Sequence, residues 1–181
     1  MLLNIVSLIV NSIAWLLGGA FLLRFWMQAV RVRPPVALAH FVFKLTDWLV
    51  RPLRKVLPGI GGYDWASMLG AVLVALAATL LILAAGGMAG AQAIVWLTLL
   101  RLVEWIFYDL MALLFIGAIF SWVNPHAPMA PFIGALSDPI LQPIRKVVPL
   151  FGNVDLSPMV ALLLMQIGLQ VVRYVISSQL V

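Results

Sequence analysis

Asp138-Pro-Ile-Leu-Gln-Pro143-Ile-Arg145-Lys146-Val-Val-Pro149 has a degenerate copy ninety-one residues earlier, Asp47-Trp-Leu-Val-Arg-Pro52-Leu-Arg54-Lys55-Val-Leu-Pro58. Extended outward, Thr46–Met68 and Ser137–Met159 align without a gap, and nine of the twenty-three positions are identical. The identities are Asp47/Asp138, Pro52/Pro143, Arg54/Arg145, Lys55/Lys146, Val56/Val147, Pro58/Pro149, Gly61/Gly152, Asp64/Asp155 and Met68/Met159. A shared bias toward Leu, Val and Ala cannot produce such a set, which consists mostly of residues that fix the backbone or carry charge. The chain therefore reads as an internal duplication, residues 1–90 and 91–181.

Each copy is flanked by long apolar runs. With 65% hydrophobic and 9% charged residues and a mean hydropathy of +1.14, the chain departs from soluble domains, which are about half apolar and about a quarter charged. A first span is expected over about Leu2 to Met27. That run begins without the basic region of a cleaved leader and is read as a retained span. Met68 to Ala85 contains no charge and extends back toward Trp65, giving a second span closed by Gly86, Gly87 and Gly90. Ala93 to Val123 would measure about 46 Å as one helix, well beyond a core of about 30 Å. The reading is an interfacial or extramembrane helix over Ala93–Leu102, followed by a third span from Glu104 to Val123. Ser157 to about Ile176 is the fourth.

Charge placement orients these spans. The segment from Arg31 to Trp65 holds Arg31, Arg33, Lys44, Arg51, Arg54 and Lys55, and that from Asn124 to Leu156 holds Arg145 and Lys146. The opposite side has Arg101 alone, with Arg24 and Arg173 in or near helix ends. The positive-inside rule puts both basic loops in the cytoplasm and both termini outside. The expected fold is an all-α membrane protein. Its four transmembrane helices form two parallel-repeat helical hairpins, each with an amphipathic, proline-bounded basic segment in its cytoplasmic loop.

The doubled signature, continued by Gly152-Asn-Val-Asp155-Leu-Ser157-Pro158, resembles the YggT family of bacterial and plastid membrane proteins over nearly the whole chain. The first copy departs from the pattern: Trp48 stands for Pro139, Arg51 for Gln142, and Ala66-Ser67 for Ser157-Pro158. The resemblance implies a multi-span protein of the bacterial inner membrane, its outside termini then periplasmic, without established enzymatic activity. It also implies links to envelope and division processes, to osmotic or ion-related growth and, in plastids, to cytochrome b maturation.

Within the repeat, Pro34-Pro35 can open a helix. Val36 to Val50 then places Leu38, Phe41, Leu45 and Leu49 on one side and His40, Lys44, Asp47 and Arg51 on the other, an interfacial amphipathic helix with Trp48 near its border. Pro52 is expected to break it, and Pro143 to break the turn that Pro139 opens in the second copy. The exposed cations Arg51, Arg54, Lys55, Arg145 and Lys146 are then candidates for binding anionic lipid headgroups or an acidic patch on another membrane protein. The blander reading is that they only fix topology. Asp64 and Asp155 read as helix caps, with Asp155 free to pair with an arginine of the repeat.

Charged and amide side chains inside spans form a candidate intramembrane polar site: Glu104, Asp109, Gln166, Gln170 and Arg173. Glu104 is expected to pair with Arg101 one turn away. A transport-like reading has Asp109 meeting Arg173, whereas the alternative is ordinary interhelical hydrogen bonding. The small face Ala71, Ala75, Thr79 suits close helix contact.

Cysteine is absent, which excludes disulfides, thiolate catalysis, thiolate zinc sites and iron–sulfur clusters. No nucleotide-binding glycine fingerprint, phosphate loop or zinc helix is present, and His40 and His126 occupy non-equivalent positions. The expectation is a non-enzymatic protein with no catalytic residues, metal or cofactor and no nucleic-acid partner. It would organise or assemble membrane components through its cytoplasmic basic segments, contacting lipids, other membrane proteins or copies of itself. The alternative is a small oligomeric channel or transporter linked to osmotic or potassium balance.

Overall fold

A computed structural model describes residues 2–57, 59, 61–86, 90–148 and 155–179. Pro58, Pro149 and Gly152 of the repeat lie outside the described residues. The chain forms six helices: α1 (Leu2–Ala29), α2 (Val36–Val56), α3 (Trp65–Gly86), α4 (Ala91–Val123), α5 (Ala130–Arg145) and α6 (Ser157–Ser177). No strand occurs among the described residues. Four of the helices, α1, α3, α4 and α6, are long and apolar enough to cross a bilayer. Their outer faces carry large apolar side chains such as Ile9, Ile13, Leu81, Leu163, Ile167 and Val171, which are stable there only against lipid.

The helix order repeats as long helix, short helix, long helix. In the first unit α1 packs chiefly on α3, with α2 against both; in the second α4 packs on α6, with α5 against both. Small residues permit the first contact: Ala71 and Ala75 are fully buried, and a Cβ on Gly70 would lie 2.6 Å from the Phe21 ring. The units join where α4 meets α1 and α3. There Gly18 admits the Trp105 ring, which would sit 2.2 Å from a Cβ at that position. A second apolar cluster of Met27, Val42, Leu113, Phe132, Ile133 and Leu136 gathers α1, α2, α4 and α5 at one end of the bundle. The Trp26 indole donates to the Leu136 carbonyl at 3.0 Å. Both short helices thus sit at the same end.

Three local expectations are corrected. Helix α2 does not stop at Pro52 but runs through it to Val56, and α5 runs through Pro139 and Pro143 to Arg145. Each interior proline forfeits a backbone donor, but packing on both sides holds the helix: Val50 is fully buried before Pro52, and Arg54 is anchored to Asp64 after it. The inward face of α2 is Val42, Thr46 and Val50. Leu38, Leu45 and Leu49 are half-buried, and Phe41 points outward. Finally, Ala91–Val123 is one helix of 33 residues with no separate interfacial piece. Its residues up to Ile116 include no proline or glycine to break it.

Candidate functional site

The repeated segment builds two ion-pair clasps. In the first, Arg24 projects from α1, buried to 7% exposure. Its Nη1 donates to Asp47 Oδ1 at 2.6 Å and to Thr46 Oγ1 at 2.7 Å, both on α2. Its Nε lies 3.5 Å from Asp64 Oδ2, and its guanidinium stacks over the Phe43 ring at 4.6 Å. Arg54 reaches Asp64 Oδ2 at 2.5 Å, and the exposed Arg51 meets Asp47 at 2.8 Å one turn along α2. Asp64 also caps α3 by accepting from the Ser67 amide at 3.3 Å and hydroxyl at 2.8 Å. One carboxylate therefore ties α1, α2 and the start of α3 together. The repeated glycine has its reason in the same loop: Gly61 and its neighbour Gly62 adopt φ of +69° and +84°, open to glycine without strain.

Burial would raise the Asp47 and Asp64 carboxyls, but the arginines outweigh it. Bonds from Arg24 and Arg51 hold Asp47 below the usual carboxylate range, and those from Arg54 and Ser67 do the same for Asp64.

The second clasp is smaller and wetter. Arg145 joins Asp138 at 3.0 Å and Asp155 at 2.9 Å, with Arg145 and Asp138 both more than two-fifths exposed. Asp155 accepts from the Ser157 amide at 2.9 Å at the start of α6, where Pro158 occupies the first turn. Against partial burial, the bonds from Ser157 and Arg145 lower the Asp155 carboxyl, while Asp155 and Asp138 raise the Arg145 guanidinium. Ser137, at the place of Thr46, bonds back to the Ile133 carbonyl at 2.9 Å, as Thr46 does to Val42 at 2.8 Å.

The candidate lipid-binding cations thus divide. Arg51, Arg54 and Arg145 are engaged within the molecule, while Lys55 and Lys146 are exposed and make no ion pair or hydrogen bond among the described residues. His40 and His126 are exposed. Sequence reading passed over Arg24 and Thr46. The available signal was a lone arginine in an apolar run, which a membrane tolerates only when paired.

The five candidate intramembrane residues do not form one site. Glu104 bonds Arg173 Nε at 2.7 Å, and Arg173 also donates to the Tyr108 hydroxyl. Neither expected pairing, Glu104 with Arg101 or Asp109 with Arg173, is made. Asp109 faces α1 instead, where a Cβ on Gly19 would lie 2.9 Å from its Oδ1, and its buried Oδ2 has no partner among the described residues. It borders an apolar cavity of about 500 Å³ with Trp15, Trp26, Phe41 and Leu113. Gln166 and Gln170 point outward from α6. The reason is geometric: face periodicity within one helix does not say which neighbouring helix each face meets.

Four spans, two short helices gathered at one end and a doubled Arg–Asp clasp define a polytopic α-helical membrane protein built from a tandem repeat. The CCB3/YggT family profile matches residues 3–85 and again 96–176. The chain belongs to the CCB3/YggT family. It is similar to the protein YggT of Escherichia coli (strain K12), 31% identical over 166 residues, covering 91% of this chain and 87% of the relative. A protein in the proC 3' region of Vibrio alginolyticus is 32% identical over 179 residues, covering 93% and 95%. No solved structure matches the chain.

Proposed function

We propose that the protein is a non-enzymatic inner-membrane factor that organises or assembles other membrane components, in envelope and division processes or in membrane-complex biogenesis. It acts through α2 and α5 at the cytoplasmic leaflet. The supporting observation is what the clasps leave over. Lys44, Lys55 and Lys146 are exposed and unpaired among the described residues, beside exposed Phe41, Trp48, Val56 and Val147. Lysines mixed with outward aromatic and aliphatic groups suit the headgroup layer, where each cation near an anionic surface contributes about 1 kcal/mol.

The test is photo-crosslinking in whole membranes from probes at Val56 and Val147. Capture of a defined membrane protein or of enriched anionic lipid, lost in a Lys55→Glu/Lys146→Glu variant, is the expected result. Self-crosslinks alone would instead favour an oligomeric channel or transporter, a reading supported by the unpartnered carboxylate oxygen of Asp109. Liposome ion flux abolished by Asp109→Asn would establish that alternative. Orientation is checked with single cysteines. One at Gly59 is expected to resist an impermeant reagent applied outside, and one at Gly90 to react.

A further inference from the structure

At the end of the bundle opposite α2 and α5, a cavity of about 740 Å³ opens between α1, α3 and α4. Its charged members are Arg101 and Glu104 of α4, which attract each other through space but are not hydrogen-bonded to one another. The Glu104 carboxylate is committed to Arg173 at 2.7 Å. Arg101 Nη1 donates to the neutral Asn11 Oδ1 at 2.5 Å, its Nε is buried without a partner, and among the described residues it makes no ion pair. With Tyr108 engaged by Arg173, two arginines, Arg101 and Arg173, surround the single Glu104 carboxylate and leave one positive charge in excess.

Depth and lining narrow what can neutralise it. Helix α3 has 22 residues, about 33 Å at 1.5 Å each, and so matches a hydrocarbon core of about 30 Å. Thr79, Ile82 and Leu83 of the cavity lie between three and seven residues before its end at Gly86, which places this wall of the cavity about 5 to 10 Å below the membrane surface. An arginine at that depth ordinarily extends its head to the interface, but Arg101 is turned sideways toward Asn11. The remaining walls are apolar and aromatic, among them Trp15 and Leu97. We infer that this cavity is a binding site for the phosphodiester headgroup of an anionic phospholipid from the leaflet opposite α2 and α5. Arg101 would be its cationic ligand, and the lipid chains would lie along the apolar walls. The site is separate from the lysine surface and does not depend on the function proposed for it.

The experiment is native mass spectrometry of the purified full-length protein, titrated with phosphatidylglycerol, phosphatidylcholine or inorganic phosphate. Wild type is expected to retain phosphatidylglycerol over phosphatidylcholine, and Arg101→Gln to weaken that retention about fivefold, the equivalent of about 1 kcal/mol for one cation. Because Arg101→Gln alters a helix contact, Leu97→Trp supplies a second variant that fills the cavity and keeps the charge. It is expected to exclude the lipid as well. A Lys55→Gln/Lys146→Gln background removes the lysine surface at the other end, and the phosphatidylglycerol it still retains is expected to fall on adding Arg101→Gln, as in wild type. Equal retention of the two lipids, unchanged retention in both cavity variants, or equally tight binding of inorganic phosphate would overturn the assignment.

Discussion

Arg24 bonds Thr46 at 2.7 Å, whereas Ser137, the residue at the place of Thr46 in the second unit, is faced by Gly117, whose added Cβ would lie 3.4 Å from the serine hydroxyl. The two clasps therefore share their carboxylates and the repeated arginine, Arg54 or Arg145, but differ in the buried cation. The first is an internal structural lock, and the second is an exposed ion pair held by Arg145 alone.

Arg24→Met removes a cation from between Asp47 and Asp64, of which Asp64 has only 2% of its side chain exposed. Asp64 keeps Arg54 and Ser67, and Asp47 keeps Arg51, so the cost is that of the lost charge-assisted hydrogen bonds, about 1.5–3 kcal/mol, and a clear drop in the thermal midpoint of the solubilised protein is expected. Arg145→Met breaks largely exposed pairs and should cost at most about 1 kcal/mol. Equal losses for the two variants would contradict the difference between the clasps.

Acid should unlock both clasps. The carboxyls of Asp47, Asp64 and Asp155 are lowered in the folded protein by their arginine and serine partners. A depressed folded value contributes stability that is fully present above the unfolded value, near 3.9, and is lost as pH falls through the folded one. Thermal unfolding is thus expected to be insensitive to these groups from pH 7 to about pH 5 and to weaken progressively below about pH 4. The loss should be smaller in Asp64→Asn. A loss centred near pH 6 would point to other groups.

Because α2 continues through Pro52, restoring its backbone donor should help the helix. Pro52→Ala is expected to raise stability by about 1 kcal/mol or more, read from chemical or thermal unfolding. A fall in stability would mean that the proline shapes the α2 contact with α1 and α3 in a way the helix geometry does not reveal.

The Glu104–Arg173 bond joins α4 to α6. Glu104→Gln and Arg173→Gln should each destabilise, and the double variant should recover part of the loss, with a coupling of about 0.5–3 kcal/mol in a double-mutant cycle. Strict additivity would mean that the two residues do not act on each other in the membrane.

Much of this architecture was legible because it rests on strong local signals. Long apolar runs, one of them charge-free, mark the spans, and the doubled Asp-Pro-Arg-Lys pattern marks the repeat. The buried Ala71, Ala75 and Thr79 face was visible as spacing along α3. What stayed hidden was which element each side chain meets. Arg54 looked like a free surface cation because Asp64 lies ten residues further on, brought back only by the loop, whereas the pairing of Asp155 with a repeat arginine was anticipated and is made by Arg145. Arg101 and Glu104 looked like partners because they share a helical face, but a neighbouring helix offered Glu104 an arginine with better geometry. The prolines were overweighted for the same reason: a helix-breaking preference of a few kcal/mol yields to tertiary packing on both sides.

The uninterrupted length of α4 has one more consequence. Its 33 residues rise about 50 Å and the 28 of α1 about 42 Å, while the 22 of α3 and 21 of α6 rise only about 33 and 32 Å. Each unit thus sets a tall helix beside a short one. The surrounding lipid meets a hydrophobic belt of uneven height, and must thicken or tilt along one side of the molecule and relax along the other.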